Sequence, residues 1–238
     1  MTRHRLMRRF ARWHIWLGWL VGLPVLMWAV TGLWMAARPL EEVRGEHLRA
    51  PHAAIDPAGI AFPPSIGEPI HEARLVSQAG RPVWIVTAAD GRRWRYSARF
   101  GTATPPVVEG EARRIAEAAY AGDARIAGVT YLPRGEAPTD ARATAAVWQA
   151  RFADGTRVYI DDATGEVLSL RTGQWRVYDF LYGLHVMDPR AHEDAHNPFA
   201  IAFAALAMLG ALLGCVLLFR RRKARPAPPT TEPPSRLP

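Results

Sequence analysis

The chain has 238 residues, a formal net charge of +8 and a single cysteine, Cys215. This length suits one folded domain with additional membrane segments, and a lone cysteine in an apolar stretch leaves that domain without a disulfide. The basic residues cluster beside two apolar stretches near the chain ends, so the charge requires no nucleic-acid partner.

Two stretches, residues 15–37 and 198–219, are nearly free of charge and long enough to cross a hydrocarbon core about 30 Å thick. The first follows a basic start and ends in small residues, so a cleaved signal peptide is the alternative. Its apolar run exceeds the roughly 7–15 residues of such a peptide, which favours an uncleaved anchor. Because Lys and Arg beside spans stay in the cytoplasm, we expect both termini there and the middle of the chain on the other side of the membrane.

These patterns divide the chain into seven segments. They are a cytoplasmic basic N-terminus (1–14), transmembrane helix 1 (15–37), a Pro-rich stalk (38–71), a periplasmic domain (72–171), a juxtamembrane amphipathic segment (172–197), transmembrane helix 2 (198–219) and a disordered cytoplasmic tail (220–238). Asp before Pro in the stalk, at Asp56-Pro57, predicts a short helix there. Asn197-Pro198 is the expected cap and first residue of the second span.

The periplasmic segment alternates β-branched and aromatic runs with Gly-containing turns. Strands are predicted at 74–78, 82–87, 93–97, 126–132, 146–152 and 157–161, and an amphipathic helix at 109–121. Asp90-Gly91 and Asp154-Gly155 are hairpin turns because Gly accepts a positive φ.

Two parts of this segment repeat one pattern. Val83-Trp84 lies seven residues before Asp90-Gly91, and Val147-Trp148 lies seven before Asp154-Gly155. Such agreement in register indicates an internal duplication. We therefore predict an α+β fold in which a duplicated helix-plus-antiparallel-hairpin domain lies between two transmembrane helices.

The second repeat, from Val147-Trp148 through Asp154-Gly155 to Ala163-Thr164-Gly165-Glu166-Val167, resembles a PepSY domain. Residues 12–18 and 182–185 resemble the helix starts of PepSY-associated transmembrane proteins. The resemblance implies a helix-plus-hairpin fold, bacterial inner-membrane placement and an outward-facing domain. Some larger members are linked to ferric siderophore reduction and carry haem within several membrane helices.

His14 and His185 match the family's histidines and are the candidate haem ligands. They lie at opposite membrane edges, roughly 30 Å apart, so they cannot bind one haem in one chain. Second ligands for His185 would be His192, His196 or the His185 of a second copy. The alternative is that both are ordinary interfacial side chains.

His192-Glu193-Asp194-Ala195-His196 formally matches the H-E-x-x-H zinc motif, which places two imidazoles on one helix face. Asn197-Pro198 follows directly, so the motif lies at or before a helix start. Weak metal binding by His192 and His196, or a solvated turn, therefore competes with zinc catalysis.

Gly18/Gly22 and Gly210/Gly214 each form a G-x-x-x-G within a span, which predicts close helix pairing or a homodimer. The sequence favours a non-enzymatic, membrane-anchored module that binds or regulates a membrane or periplasmic protein partner. The alternatives are a haem-binding electron-transfer or iron-uptake accessory subunit and, more weakly, a zinc metallopeptidase.

Overall fold

The computed structural model describes residues 3–63, 67–188 and 197–221. The zinc-like motif at His192–His196 and the predicted tail beyond residue 221 lie outside the described residues. The elements in chain order are α1 (Arg3–Ala36), α2 (Leu40–Arg44), β1 (Ile70–Gln78), β2 (Arg81–Ala88), β3 (Arg93–Ser97), α3 (Glu109–Ala119), β4 (Ile126–Leu132), β5 (Val147–Phe152), β6 (Arg157–Asp161), β7 (Val167–Arg171), α4 (Gly173–His185) and α5 (Pro198–Arg221).

The chain forms two compact units. The helical unit comprises the described parts of Met1–Leu33 and Gly183–Pro238, and the sheet unit comprises Trp34–Tyr182. The sheet unit contains two antiparallel sheets, one with the order β1-β2-β3 and one with the order β4-β5-β6-β7. The predicted α+β class is confirmed, with the hairpins in two sheets and not in one.

The internal duplication is visible in the register of the strands. Trp84 on β2 lies opposite Tyr96, and Trp148 on β5 lies opposite Ile160 at the equivalent place in the second sheet. The two hairpin turns are closed by the same main-chain hydrogen bond, which is 2.9 Å long in the first copy and 2.8 Å long in the second. Both Asp-Gly turns therefore form as predicted, with φ of +86° at Gly91 and +84° at Gly155.

The two copies differ in whether a full strand follows the hairpin that contains the Asp-Gly turn. In the second copy this strand is β7, which the sequence analysis did not predict. At the equivalent place in the first copy, Tyr96 and Ala103 form only an isolated bridge. Pro105 and Pro106 follow, and because proline has no N–H to donate, a full fourth strand cannot continue there.

Helix α3 covers the second sheet and supplies its main hydrophobic core. Ala112, Ile115 and Ala116 are at most 4% exposed. They pack with buried side chains of the sheet, namely Ala150, Phe152, Val158, Ile160 and Leu170. The predicted amphipathic helix is thus confirmed, and its apolar face fixes the position of the second repeat.

The stalk segment differs from the sequence prediction. The short helix expected after Asp56-Pro57 is wrong, because the Asp56 carboxylate accepts a hydrogen bond from the Ala58 N–H at 2.9 Å and closes a turn instead. An aspartate side chain bonded to the backbone two residues on competes with helix formation. The short helix of this region is α2, where Val43 is only 1% exposed.

The helical unit pairs α1 with α5. Leu6–Ala36 and Pro198–Phe219 are long and apolar enough to cross a membrane, and only 11% and 6% of their most apolar windows are buried. A soluble core helix would be mostly buried, so the exposed apolar surface fits a lipid environment. Helix α5 begins at Pro198, and the Asn197 side chain accepts a hydrogen bond from the Ala200 N–H at 2.9 Å, as the predicted cap requires.

The less exposed positions of the two long helices recur at alternating steps of three and four residues. The buried or half-buried positions include His14, Leu17, Val21, Pro24, Trp28 and Thr31 on α1, and Ala200, Phe203, Ala207, Gly210, Gly214 and Leu217 on α5. This spacing is typical of a left-handed helix pair. Contacts between the first half of α1 and the second half of α5 fit an antiparallel arrangement.

Candidate functional site

His14 lies in a notch of α5 made by two glycines. Its Nδ1 is 3.0 Å from the carbonyl oxygen of Gly210. A carbonyl can only accept, so we infer that Nδ1 carries the proton and that Nε2 of the neutral ring keeps its lone pair. A Cβ on Gly214 would lie 2.9 Å from the ring Cε1, so only glycine leaves the ring room there.

His185, the last residue of α4, makes the equivalent contact on α1. Its Nδ1 is 3.0 Å from the hydroxyl oxygen of Thr31, and that hydroxyl donates to the Met27 carbonyl at 2.7 Å. Since the hydroxyl has one proton and uses it on the backbone, it accepts from His185. In the neutral tautomer with its proton on Nδ1, Nε2 of His185 carries the lone pair. A Cβ on Gly32 would approach the ring Cε1 to 3.2 Å.

The two histidine sites are well separated along α1. Thr31 follows His14 by seventeen residues in one continuous helix, which corresponds to a rise of about 25 Å. This separation agrees with the expectation that His14 and His185 cannot bind one shared group. In the part of the chain that the structure describes, no group of three or more His, Cys, Asp or Glu side chains could hold a metal ion.

A haem iron binds an imidazole through one ring nitrogen, and the other nitrogen usually donates to a fixed acceptor that orients the ring. His14 and His185 both have such an acceptor, because each Nδ1 lies 3.0 Å from an oxygen atom of a helix. A larger side chain at Gly214 or Gly32 would meet the imidazole ring, so these glycines let the rings pack closely against the helices. Each imidazole therefore has the fixed orientation that an axial ligand of a haem needs.

The sheet unit offers a different candidate site, the outer edge of β1. The β1–β2 turn has positive φ at Ala79 (47°) and Gly80 (77°), the geometry of a type I′ hairpin. In such a hairpin Gln78 and Arg81 form a hydrogen-bonded pair, so alternate residues of β1 direct their N–H and C=O away from β2. These residues are Ala73, Leu75 and Ser77, and none of them makes a backbone hydrogen bond to another described element.

The opposite edge of the same sheet is covered by the chain itself. The Ser97 N–H donates to the Thr102 carbonyl at 2.9 Å, and the Thr104 N–H donates to the Arg95 carbonyl at 2.8 Å. The free edge of β1 is thus the place where this sheet can accept another strand.

A cavity of about 130 Å³ lies beside the end of β1. Its apolar wall comes from Val76 and Ile85 of the first sheet and from Ile115 and Ala119 of α3. The cavity and the free edge are therefore adjacent features of the sheet unit.

The model of the PepSY-associated TM region family matches residues 11–237, which is nearly the whole chain. The chain belongs to this family. The match includes both apolar helices and the sheets between them, so this PepSY-associated protein is a membrane protein. No curated protein and no solved structure matches it.

Two buried tyrosines in the sheet unit of the PepSY-associated protein have a structural role. Burial, followed by the hydrogen bond to Asp140, raises the pKa of Tyr159 to about 12. Burial and the hydrogen bond to Asp154 similarly raise the pKa of Tyr120 to about 12. Both phenols stay protonated at neutral pH and donate to their carboxylates at 2.8 Å and 2.7 Å, so neither is poised for acid–base chemistry.

Glu166 joins the two copies electrostatically. Its carboxylate binds Arg74 and Arg93 of the first sheet. Burial by itself raises the pKa of Glu166, but the hydrogen bonds and charges of the two arginines outweigh it and lower the pKa below the usual 4.5. The carboxylate is therefore charged at neutral pH and stabilises the junction of the repeats.

Sequence analysis named His14 and His185 but missed the residues that hold them. Thr31 is 4% exposed inside an apolar helix. A polar residue inside a span usually faces another helix, and that signal was available in the sequence. The pairing of Thr31 with His185 was not, because 154 positions separate them.

Proposed function

We propose that this PepSY-associated protein is a haem-binding electron-transfer subunit of the bacterial inner membrane, with His14 and His185 each supplying one axial ligand. The observation that supports this proposal is the shared geometry of the two histidines. Each has its Nδ1 proton held by an oxygen of a span and an Nε2 lone pair left over. A haem bound at such a nitrogen supplies one-electron redox chemistry.

The surrounding residues would tune the two sites differently. A hydrogen bond from Nδ1 fixes ring orientation and raises the basicity of Nε2. His14 donates to a main-chain carbonyl, whereas His185 donates to a hydroxyl whose proton is already directed at Met27. With both termini in the cytoplasm, His14 lies toward the cytoplasmic face and His185 toward the periplasm, so the pair marks the two ends of a transmembrane path.

Each site needs a second ligand from elsewhere. His192 and His196 are candidates on the side of His185, and a second copy of the chain is a candidate for both sites. Gly210 and Gly214 are used inside the chain, where they contact Leu17 and His14. Gly18 and Gly22 have no atom of another described residue within 4 Å of an added Cβ, so this pair is the one open to a second copy.

The test is the absorption spectrum of the full-length protein, purified from membranes in mild detergent and recorded before and after dithionite. We expect a Soret band and reduced α and β bands, all lost in a variant that carries His14→Ala and His185→Ala together. His71→Ala is the matched control, because His71 is exposed on β1. A colourless wild-type protein, or a double variant that keeps its bands, would contradict the proposal.

The second candidate function is a non-enzymatic binding or regulatory module that accepts a polypeptide strand at the edge of β1. The free backbone groups of Ala73, Leu75 and Ser77 and the adjacent cavity favour it. Strand addition takes its affinity from main-chain hydrogen bonds and its specificity from side-chain pockets.

A photo-crosslinking amino acid in living cells tests this second candidate. Placed at Glu72 on β1, it should capture a defined partner, and the same group at the exposed Arg114 of α3 should not. Ala73→Pro removes an outward N–H and should abolish the capture. Equal capture from both positions, or capture that survives Ala73→Pro, would contradict strand addition.

A further inference from the structure

Helix α4 carries an apolar stripe that the protein leaves uncovered. Val177 is 50% exposed and Phe180 is 59% exposed. Leu181 and Leu184 continue the same face at helical spacing and are half-buried. This stripe is independent of the histidine sites and of the β1 edge.

The other side of α4 is used for packing inside the protein. Trp175 is 8% exposed, and the Arg171 guanidinium lies over its ring at 4.2 Å. The Tyr178 ring lies 6.3 Å from the ring of Trp34. Trp175 lies on the opposite side of the helix from Val177, and these contacts leave Val177 and Phe180 exposed.

Two contacts tie α4 to the end of the first span. Thr31, which binds His185, and Trp34, which contacts Tyr178, both lie in the apolar helix Leu6–Ala36. Thr31 is five residues before the end of that helix, a rise of about 7 Å. Contacts of α4 therefore fall within the last turns of a membrane-spanning helix.

The side chains around this place are those that favour the boundary between lipid and water. The Arg38 guanidinium lies 5.6 Å from the centre of the Trp34 ring. Trp and Tyr rings prefer the headgroup level, and Arg there keeps its charge in water while its stem lies along apolar groups. Helix α4 is held at this level and has an exposed apolar stripe. The nearest apolar surroundings for that stripe are the lipids at the membrane boundary.

We propose that α4 is an interfacial helix whose Val177 and Phe180 side chains insert into the boundary between headgroups and acyl chains. The bilayer is the occupant of this face. Insertion fixes the level of His185 relative to the membrane surface, because His185 is the last residue of the same helix.

Site-directed spin labelling of the full-length protein in nanodiscs of phosphatidylethanolamine and phosphatidylglycerol tests this. After Cys215→Ser, single cysteines replace Val177 or Phe180, and collisions of the label with oxygen and with a water-soluble nickel chelate are compared. Two reference positions are Leu23, 75% exposed on the first span, and Arg114, exposed on α3. All four positions are exposed, so labelling should leave the fold intact.

We expect oxygen collisions to exceed nickel collisions at Val177 and Phe180, as at Leu23, and the ratio to reverse at Arg114. Nickel access at Val177 and Phe180 equal to that at Arg114 would show a water-facing stripe and overturn the proposal. Low access to both reagents would show that protein covers the stripe, and this would overturn it as well.

Discussion

Replacing Arg95 by Met should destabilise the sheet unit measurably. The Arg95 side chain is 1% exposed, and its two terminal nitrogens donate to the two carboxylate oxygens of Glu111 at 2.8 Å and 3.0 Å. A third hydrogen bond, 2.7 Å long, goes to the Pro105 carbonyl. Arg95 lies on β3 and Glu111 on α3, so the pair joins the first sheet to the helix that covers the second.

The expected cost follows from the charge that is left behind. Arg95→Met removes three hydrogen bonds to charged or main-chain acceptors and leaves the Glu111 carboxylate, 25% exposed, to be solvated only in part, which costs about 1–3 kcal/mol. For a protein of this size that lowers the melting temperature by roughly 5 °C. Replacing both members with apolar side chains, as Arg95→Met with Glu111→Leu, should restore stability close to that of the wild type, because no orphaned charge remains.

The assay is thermal unfolding of the full-length protein in detergent, followed by near-ultraviolet circular dichroism. Arg114→Met is the control, since Arg114 is an exposed arginine on the same helix and should change stability by less than about 0.5 kcal/mol. The reasoning would be refuted if Arg95→Met had the melting temperature of the control. It would also be refuted if the double variant lost as much stability as Arg95→Met and Glu111→Leu lose together.

Three further predictions concern the site and the fold. Gly214→Ala should displace the His14 ring and reduce bound haem, whereas Ala205→Val, at an exposed position of the same helix, should not; equal haem in both would count against the notch. Tyr159→Phe should cost about 1–3 kcal/mol in denaturant unfolding, because it removes the hydrogen bonds of the phenol to the buried Asp140 carboxylate and the half-buried Gln149 amide. The lowered pKa of Glu166 contributes stability above about pH 4.5, and this stability is lost as the pH falls through the folded-state pKa. Glu166→Gln should therefore flatten the acid side of a curve of unfolding free energy against pH, and an unchanged acid side would exclude this role.

Local sequence signals were enough for most of the sheet unit. The strands at Arg93–Ser97, Ile126–Leu132 and Arg157–Asp161 begin and end where alternation and turn residues predict. These segments are bounded by Gly-containing turns, whose backbone geometry is set by the turn residues themselves. The duplication gave further support, since two copies of one pattern are unlikely to agree by chance.

The failures occur where distant parts of the chain decide the outcome. β7 completes the second sheet through its pairing with β6, and its first-copy counterpart is interrupted by Pro105 and Pro106. That counterpart therefore gives no strand pattern that would have indicated β7. At Asp56 the side chain that was read as a helix cap instead closes a turn.

The sequence pointed to the two histidines of the candidate site but not to the residues that hold them. His14 and His185 stand out as histidines at span borders, and the length of the span separates them. Their acceptors, Gly210 and Thr31, lie on other helices, and only the packing of α1 with α5 and α4 brings them together. That packing depends on small residues whose partners a single sequence does not identify.

The central claim is that His14 and His185 hold two separate haems, about 25 Å apart along α1. The most direct test is the ratio of haem to protein chain in the wild type, in His14→Ala, in His185→Ala and in the double variant, measured as pyridine haemochrome on detergent-purified protein. We predict that each single variant keeps half of the wild-type ratio and that the double variant keeps none. A wild type without haem, or single variants that keep the full ratio, would contradict the account.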